Sequence, residues 1–144
     1  MIGLRGRKLV VVNMKNYKIG DKANLSKTIS ETDVYLFSGI SGDFNPVHLN
    51  EEYAKKTIFK ERIVQGVLTI GLISSVIANK LPGPGSILLS QEFKYTAPVK
   101  INDTITANVE IVEISDKGKI TLKTQCYNQA DKLVIDGFAK VLVL

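Results

Sequence analysis

Asp43 and His48 are the residues of this chain whose types and spacing allow acid–base chemistry. His48 is the only histidine in 144 residues, and it stands five positions after the aspartate in the run Ser41-Gly42-Asp43-Phe44-Asn45-Pro46-Val47-His48. A carboxylate and an imidazole brought to one point can move a proton on and off a small molecule. Asn45-Pro46 between them predicts a turn, because proline fixes its own φ and drives the preceding residue out of the helical region. On spacing alone a plainer reading stands beside this one. Asp43 would close an Asx-turn, and His48 would be a satisfied or exposed side chain.

The flanking segments must position such a pair. Ala23–Ile29 alternates and predicts a short strand. Ser30 is a predicted N-cap with Asp33 in the capping-box position, opening a helix whose apolar side holds Val34, Phe37 and Ile40. Beyond the turn, Asn50 caps a short helix through Glu51, Glu52 and Tyr53, whose acids suit the positive end of the helix dipole.

Ile63 to Asn79 carries no charge and has apolar or small residues on every face, which predicts a helix buried in the core. Gln65, Gly66, Thr69, Gly71, Ser74, Ser75 and Asn79 make it a poor membrane span. Lys80 and Leu81-Pro82-Gly83-Pro84-Gly85 end it.

Four β-rich runs follow: Ser86–Tyr95, Asp103–Ile114, Ile120–Asn128 and Leu133–Val143. Asp116-Lys117-Gly118 and Gln129-Ala130-Asp131 are short enough for hairpins. Ile105, Ala107, Val109 and Ile111 alternate with polar residues, giving one dry face. The expected fold is α+β, a curved antiparallel sheet wrapped around a buried central helix.

Composition bounds the remainder. With 44% hydrophobic and 23% charged residues the chain reads as a single ordinary globular domain and not as a disordered one. One cysteine, Cys126, and one histidine allow neither an internal disulfide nor a usual zinc ligand set. Cys126, in mid-strand, is expected to act as a small buried hydrophobe. The net charge of +5 is an N-terminal property: seven of the basic residues and a single acid fall within residues 1–27. No aromatic–basic interleaving supports a nucleic-acid partner. Residues 1–16 read as an N-terminal extension, with Met14 as a candidate natural start, and residues 17–144 as the domain. The run Leu9-Val10-Val11-Val12 is too short for a signal sequence, so a cytoplasmic location without membrane attachment is expected.

The runs FSGISGDFNPVHLNEEYAKKT, RIVQGVLTIGLISSVI and LPGPGSILLSQEFKYTAPVKINDTITANVEI, in that order, resemble the MaoC-like hot-dog hydratases. The resemblance is nearest to the (R)-specific enoyl-CoA hydratases that feed polyhydroxyalkanoate synthesis, and it spans about residues 17–144. It implies reversible addition of water to a trans-2-enoyl-CoA, giving the (R)-3-hydroxyacyl-CoA. Asp43 and His48 match the family's catalytic pair, which would hold one water, take its proton as it attacks C3 and return a proton to C2. Gly66 matches the residue whose backbone N–H receives the enolate-like thioester oxygen. That placement suits the unpaired N–H groups and the dipole of a helix start. Asn45 is expected to help orient the water, and Ser74 matches a serine near the acyl pocket. The resemblance also implies an edge-to-edge homodimer and no cofactor, coenzyme A being part of the substrate.

The chain departs from the family at Gln65, where histidine is usual; a backbone donor at Gly66 does not depend on that side chain. Gly71 and Ser74 also fit mere close packing in a crowded helix. Three rivals remain. A hot-dog thioesterase commonly carries an acid on or near the central helix, and none occurs from Ile63 to Gln91. A non-catalytic acyl-thioester-binding module would have no need of Asp43 and His48 together. A dehydratase acting on acyl-carrier-protein thioesters is separated least well.

Overall fold

The structure is a computed structural model that describes residues 16–143. The proposed extension up to residue 15, and the candidate start at Met14 within it, lie outside the described residues.

In chain order the elements are β1 (Lys22–Thr28), α1 (Glu31–Ser41), α2 (Pro46–Leu49), α3 (Glu51–Ala54), α4 (Gly66–Asn79), β2 (Ser86–Tyr95), β3 (Thr104–Ile114), β4 (Lys119–Tyr127) and β5 (Leu133–Val143). The strands form one antiparallel sheet of order β1-β3-β4-β5-β2, leaving β1 and β2 at the edges. Bulges between Leu88 and Ser90, Ile111 and Glu113, and Cys126 and Tyr127 interrupt the ladders. Such insertions bend a strand and increase its twist, which suits a sheet that curves around a helix.

The expected alternation is what fills the core. Ile105, Ala107, Val109 and Ile111 of β3 face inward with Ile120, Leu122 and Cys126 of β4 and Ala139 and Val141 of β5. α4 lies across this face and contributes Leu72, Ile73, Val76 and Ile77. Burying each large aliphatic contributes roughly 1.5–3 kcal/mol, so the helix–sheet contact is a main stabilising term. Cys126 is fully buried, and the apolar surroundings push its thiol pKa up to about 12.

Two expectations are corrected. α4 is not buried on every face: Val67, Gly71, Ser74 and Ala78, at four-, three- and four-residue steps, form an exposed stripe. One sheet can cover only one side of a helix. On α1 the buried side is Val34 and Ser38, while Phe37 is half-buried and Ile40 is 85% exposed. The helix is turned so that a small hydroxyl, and not the larger Ile40, meets the interior.

Candidate active site

α1 starts as its residue types predict. The Ser30 side chain accepts from Asp33 N–H at 3.1 Å, and the Asp33 carboxylate accepts from Ser30 N–H at 2.8 Å. This backbone bond holds the Asp33 carboxyl below its usual range. The helix ends at Gly42, whose φ of 77° is left-handed and favours glycine.

Asp43 follows. Its Oδ1 accepts from Asn45 N–H at 3.1 Å, an Asx-turn, while its Oδ2 lies 3.7 Å from His48 Nε2. One carboxylate therefore serves the turn and faces the imidazole. Asn45 Oδ1 accepts from Val47 N–H at 3.3 Å and caps α2, with Pro46 at the first helical position, where a missing N–H costs nothing.

His48 is 8% exposed, and its Nδ1 is 2.7 Å from the carbonyl oxygen of Ile63. A carbonyl can only accept, so Nδ1 carries the proton. In the neutral ring Nε2 is then an unprotonated acceptor turned toward Asp43. Ile63 N–H in turn donates to the Val47 carbonyl at 3.2 Å, and Val64 N–H to Val99 O at 2.8 Å. These bonds bring α2 and the segment between β2 and β3 to the residues that open α4.

A cavity of about 530 Å³ opens beside this junction. His48, Gly66, Val67 and Thr69 line it together with Phe59, Tyr95 and Val134. Its walls are mainly apolar apart from His48, as an acyl chain would require. Gly66 begins α4, and among the described residues no backbone carbonyl accepts from its N–H or from that of Val67. The Tyr95 ring lies over Gly66 so closely that a Cβ there would overlap it, with Tyr95 Cζ at 2.9 Å. Any larger residue at position 66 would have to displace that ring.

Arg62 joins the helices around the turn. Its guanidinium donates to Glu31 Oε1 at 2.7 Å, to Glu51 Oε2 at 3.1 Å and to the Tyr35 hydroxyl at 3.0 Å. Tyr35 donates to Glu31 at 2.6 Å as well. The Tyr35 hydroxyl and then Arg62 lower the Glu31 pKa, and the same network raises that of Arg62.

His48 and Gly66 both line the cavity, and Asp43 reaches its edge through the 3.7 Å approach of Oδ2 to His48 Nε2. The structure does not bring Ser74 there, which faces outward from α4, and it uses the Asn45 side-chain oxygen as a cap. Tyr95, Phe59 and Thr69 line the cavity without any spacing signal in the sequence; the long reach from β2 to Gly66 is a product of the fold. Among the described residues no group of three His, Cys, Asp or Glu could hold a metal ion, and no helix is long and apolar enough to cross a membrane.

Residues 15–132 match the MaoC like domain. The chain belongs to the MaoC-like family. This MaoC-like chain is 47% identical to the (R)-specific enoyl-CoA hydratase of Rhodospirillum rubrum over 94% of each chain. It is 40% identical to the 3-hydroxybutyryl-CoA dehydratase of Methylorubrum extorquens, covering 94% of this chain and 86% of the relative. Among solved structures, the (R)-hydratase of Aeromonas caviae involved in PHA biosynthesis superposes with a TM-score of 0.88 at 37% identity, over 90% of this chain and 99% of that one. The curved sheet around α4 is accordingly a hot-dog fold, and this MaoC-like protein is an enzyme of the hydro-lyase class.

Proposed function

We propose that this MaoC-like protein is an (R)-specific enoyl-CoA hydratase, adding water reversibly to a trans-2-enoyl-CoA to give the (R)-3-hydroxyacyl-CoA. The observation that carries the proposal is the pair of acceptors, Asp43 Oδ2 and His48 Nε2, 3.7 Å apart beside the cavity that Gly66 lines. That separation is too long for a good direct hydrogen bond and suits one water donating to both.

The water oxygen attacks C3 as one O–H bond breaks, its proton passing to the pair. With Nδ1 held by Ile63, Nε2 is placed to take it. The C2=C3 electrons move toward the thioester, whose oxygen becomes enolate-like and accepts from Gly66 N–H. Loss of one comparable donor in other enzymes costs about 2.7–4 kcal/mol of barrier. A proton returned from the pair to C2 completes the addition. The Asn45 Oδ1 is taken up by the cap, which leaves its Nδ2 as the group that could orient the water, and Ser74 is turned outward from α4.

The step uses no metal or redox cofactor, so turnover should survive exhaustive dialysis against a chelator. The working assembly in this reading is a cytoplasmic homodimer. Exposed Ile87, Leu88 and Leu89 on the edge strand β2, and the stripe on α4, supply apolar surface for a second copy. The test is loss of the enoyl-thioester absorbance of crotonyl-CoA on adding enzyme, with the product then consumed by an (R)-specific 3-hydroxyacyl dehydrogenase. A product oxidised only by the (S)-specific enzyme, or a strong preference for crotonyl-acyl-carrier protein, would refute the reading.

A further inference from the structure

Gln65 links the two halves of the site. It is the N-cap of α4 and 2% exposed, yet its side chain makes no capping bond. Serine, threonine, aspartate or asparagine in such a place would accept from an N–H of the first turn. Gln65 turns the other way. Its Nε2 donates to Val34 O at 3.1 Å and to Ser38 Oγ at 2.9 Å, both on α1. The Val34 carbonyl can only accept, so the amide cannot be reversed.

Gln65 Oε1 is meanwhile buried without a hydrogen-bond partner among the described residues. Such a group is costly, and an apolar side chain of equal length would fill the space without that penalty. The polar residue is therefore explained by its two bonds to α1. Those bonds sit at telling places. Ser38 lies one helical turn before Gly42, whose left-handed backbone starts the turn to Asp43. Gly66 is the residue after Gln65.

We propose that Gln65 is a positioning residue for the reaction. Its amide sets the distance between the Asp43–His48 pair and the Gly66 N–H, and by pointing away from α4 leaves the first-turn donors to the thioester oxygen. The inference rests on the hydratase reading above. It predicts a defect in turnover and not in substrate capture, because the groups that surround the acyl chain remain in place.

The experiment measures crotonyl-CoA hydration and thermal unfolding for Gln65→Met, Ser38→Ala and the double variant. Gln65→Met should lower kcat about 10- to 100-fold with KM little changed, the scale of effect that small misplacements produce. Ser38→Ala should give a smaller loss of the same kind, and it carries the test if Gln65→Met fails to fold. The double variant should be no worse than Gln65→Met alone, since Gln65→Met already removes the bond to Ser38. Variants that melt earlier but keep wild-type kcat well below their melting temperatures would make Gln65 merely structural and overturn the proposal, as would a raised KM with unchanged kcat. Wild-type protein without turnover would overturn the hydratase reading and this inference with it. An active wild type with an unaffected Gln65→Met would overturn the inference alone.

Discussion

In the proposed mechanism Asp43 uses its two oxygens differently, one in the turn and one toward the water, and the substitution that separates them is Asp43→Asn. An asparagine keeps an acceptor for Asn45 N–H but no longer offers a carboxylate to a water at His48. Unfolding should therefore be near wild type, while kcat falls about 10²- to 10⁴-fold, the usual share of a general acid–base group. A melting curve beside a crotonyl-CoA assay decides it; equal activity would contradict the proposed mechanism. Gly66 is constrained twice as well, by its place at the helix start and by the Tyr95 ring above it. Gly66→Ala should destabilise by about 1–3 kcal/mol through overpacking and should also slow turnover. Adding Tyr95→Ala to that variant should restore much of the stability, because the clashing ring is gone. Denaturant titration of the single and double variants measures this. Neither Tyr95 nor the His48 tautomer was legible in the sequence. Both follow from partners distant along the chain, β2 for the glycine and Ile63 for the imidazole.

At the scale of elements, ion pairs through Arg62 join the helices around the turn. Glu31 binds Tyr35 and Arg62, and Asp33 accepts from Ser30 N–H; both carboxyls have pKa values below their ordinary range. Each folded pKa is thus lower than its unfolded counterpart. The associated stabilisation is complete above the unfolded carboxylate range, about pH 4, and is lost as pH falls through the folded value. The melting temperature should drop on acidification below that range, and less steeply in Glu31→Gln and Asp33→Asn than in wild type. Calorimetry across pH 2–6 reads the difference, a window of about two units on either side of the ordinary carboxylate values. Much of this scale was legible. The capping box at Ser30, the Asn50 cap and the strands Ser86–Tyr95 and Leu133–Val143 appear where turn chemistry and alternation predict them. Local patterns report on local partners, which is why these elements were readable and the rotation of α1 was not.

For the molecule as a whole, the surplus of apolar surface is the main feature. β2 is an edge strand with Ile87, Leu88 and Leu89 at 42%, 44% and 48% exposure, and α4 leaves its Val67–Ala78 stripe uncovered. Pairing of β2 with its copy would satisfy the free edge and cover that apolar surface. Sedimentation equilibrium should give about twice the 15.8 kDa chain mass. Leu88→Lys with Leu89→Lys should shift the population toward one chain. A wild-type monomer at micromolar concentration would contradict the dimer.

Hydrophobic period, capping residues and three ordered motifs determined by themselves the α+β class, the order of the strands and of α1, α3 and α4, and the MaoC-like family, but not the short helix α2 that carries His48. Each depends on neighbours within a few residues or on a pattern carried by the whole chain. Only the tertiary structure decided which side of α4 is covered, that Ser74 faces out, that Asn45 is occupied as a cap, and that Gln65 reaches back to α1. Those outcomes depend on how one curved sheet meets one helix, and a single layer can cover only one face.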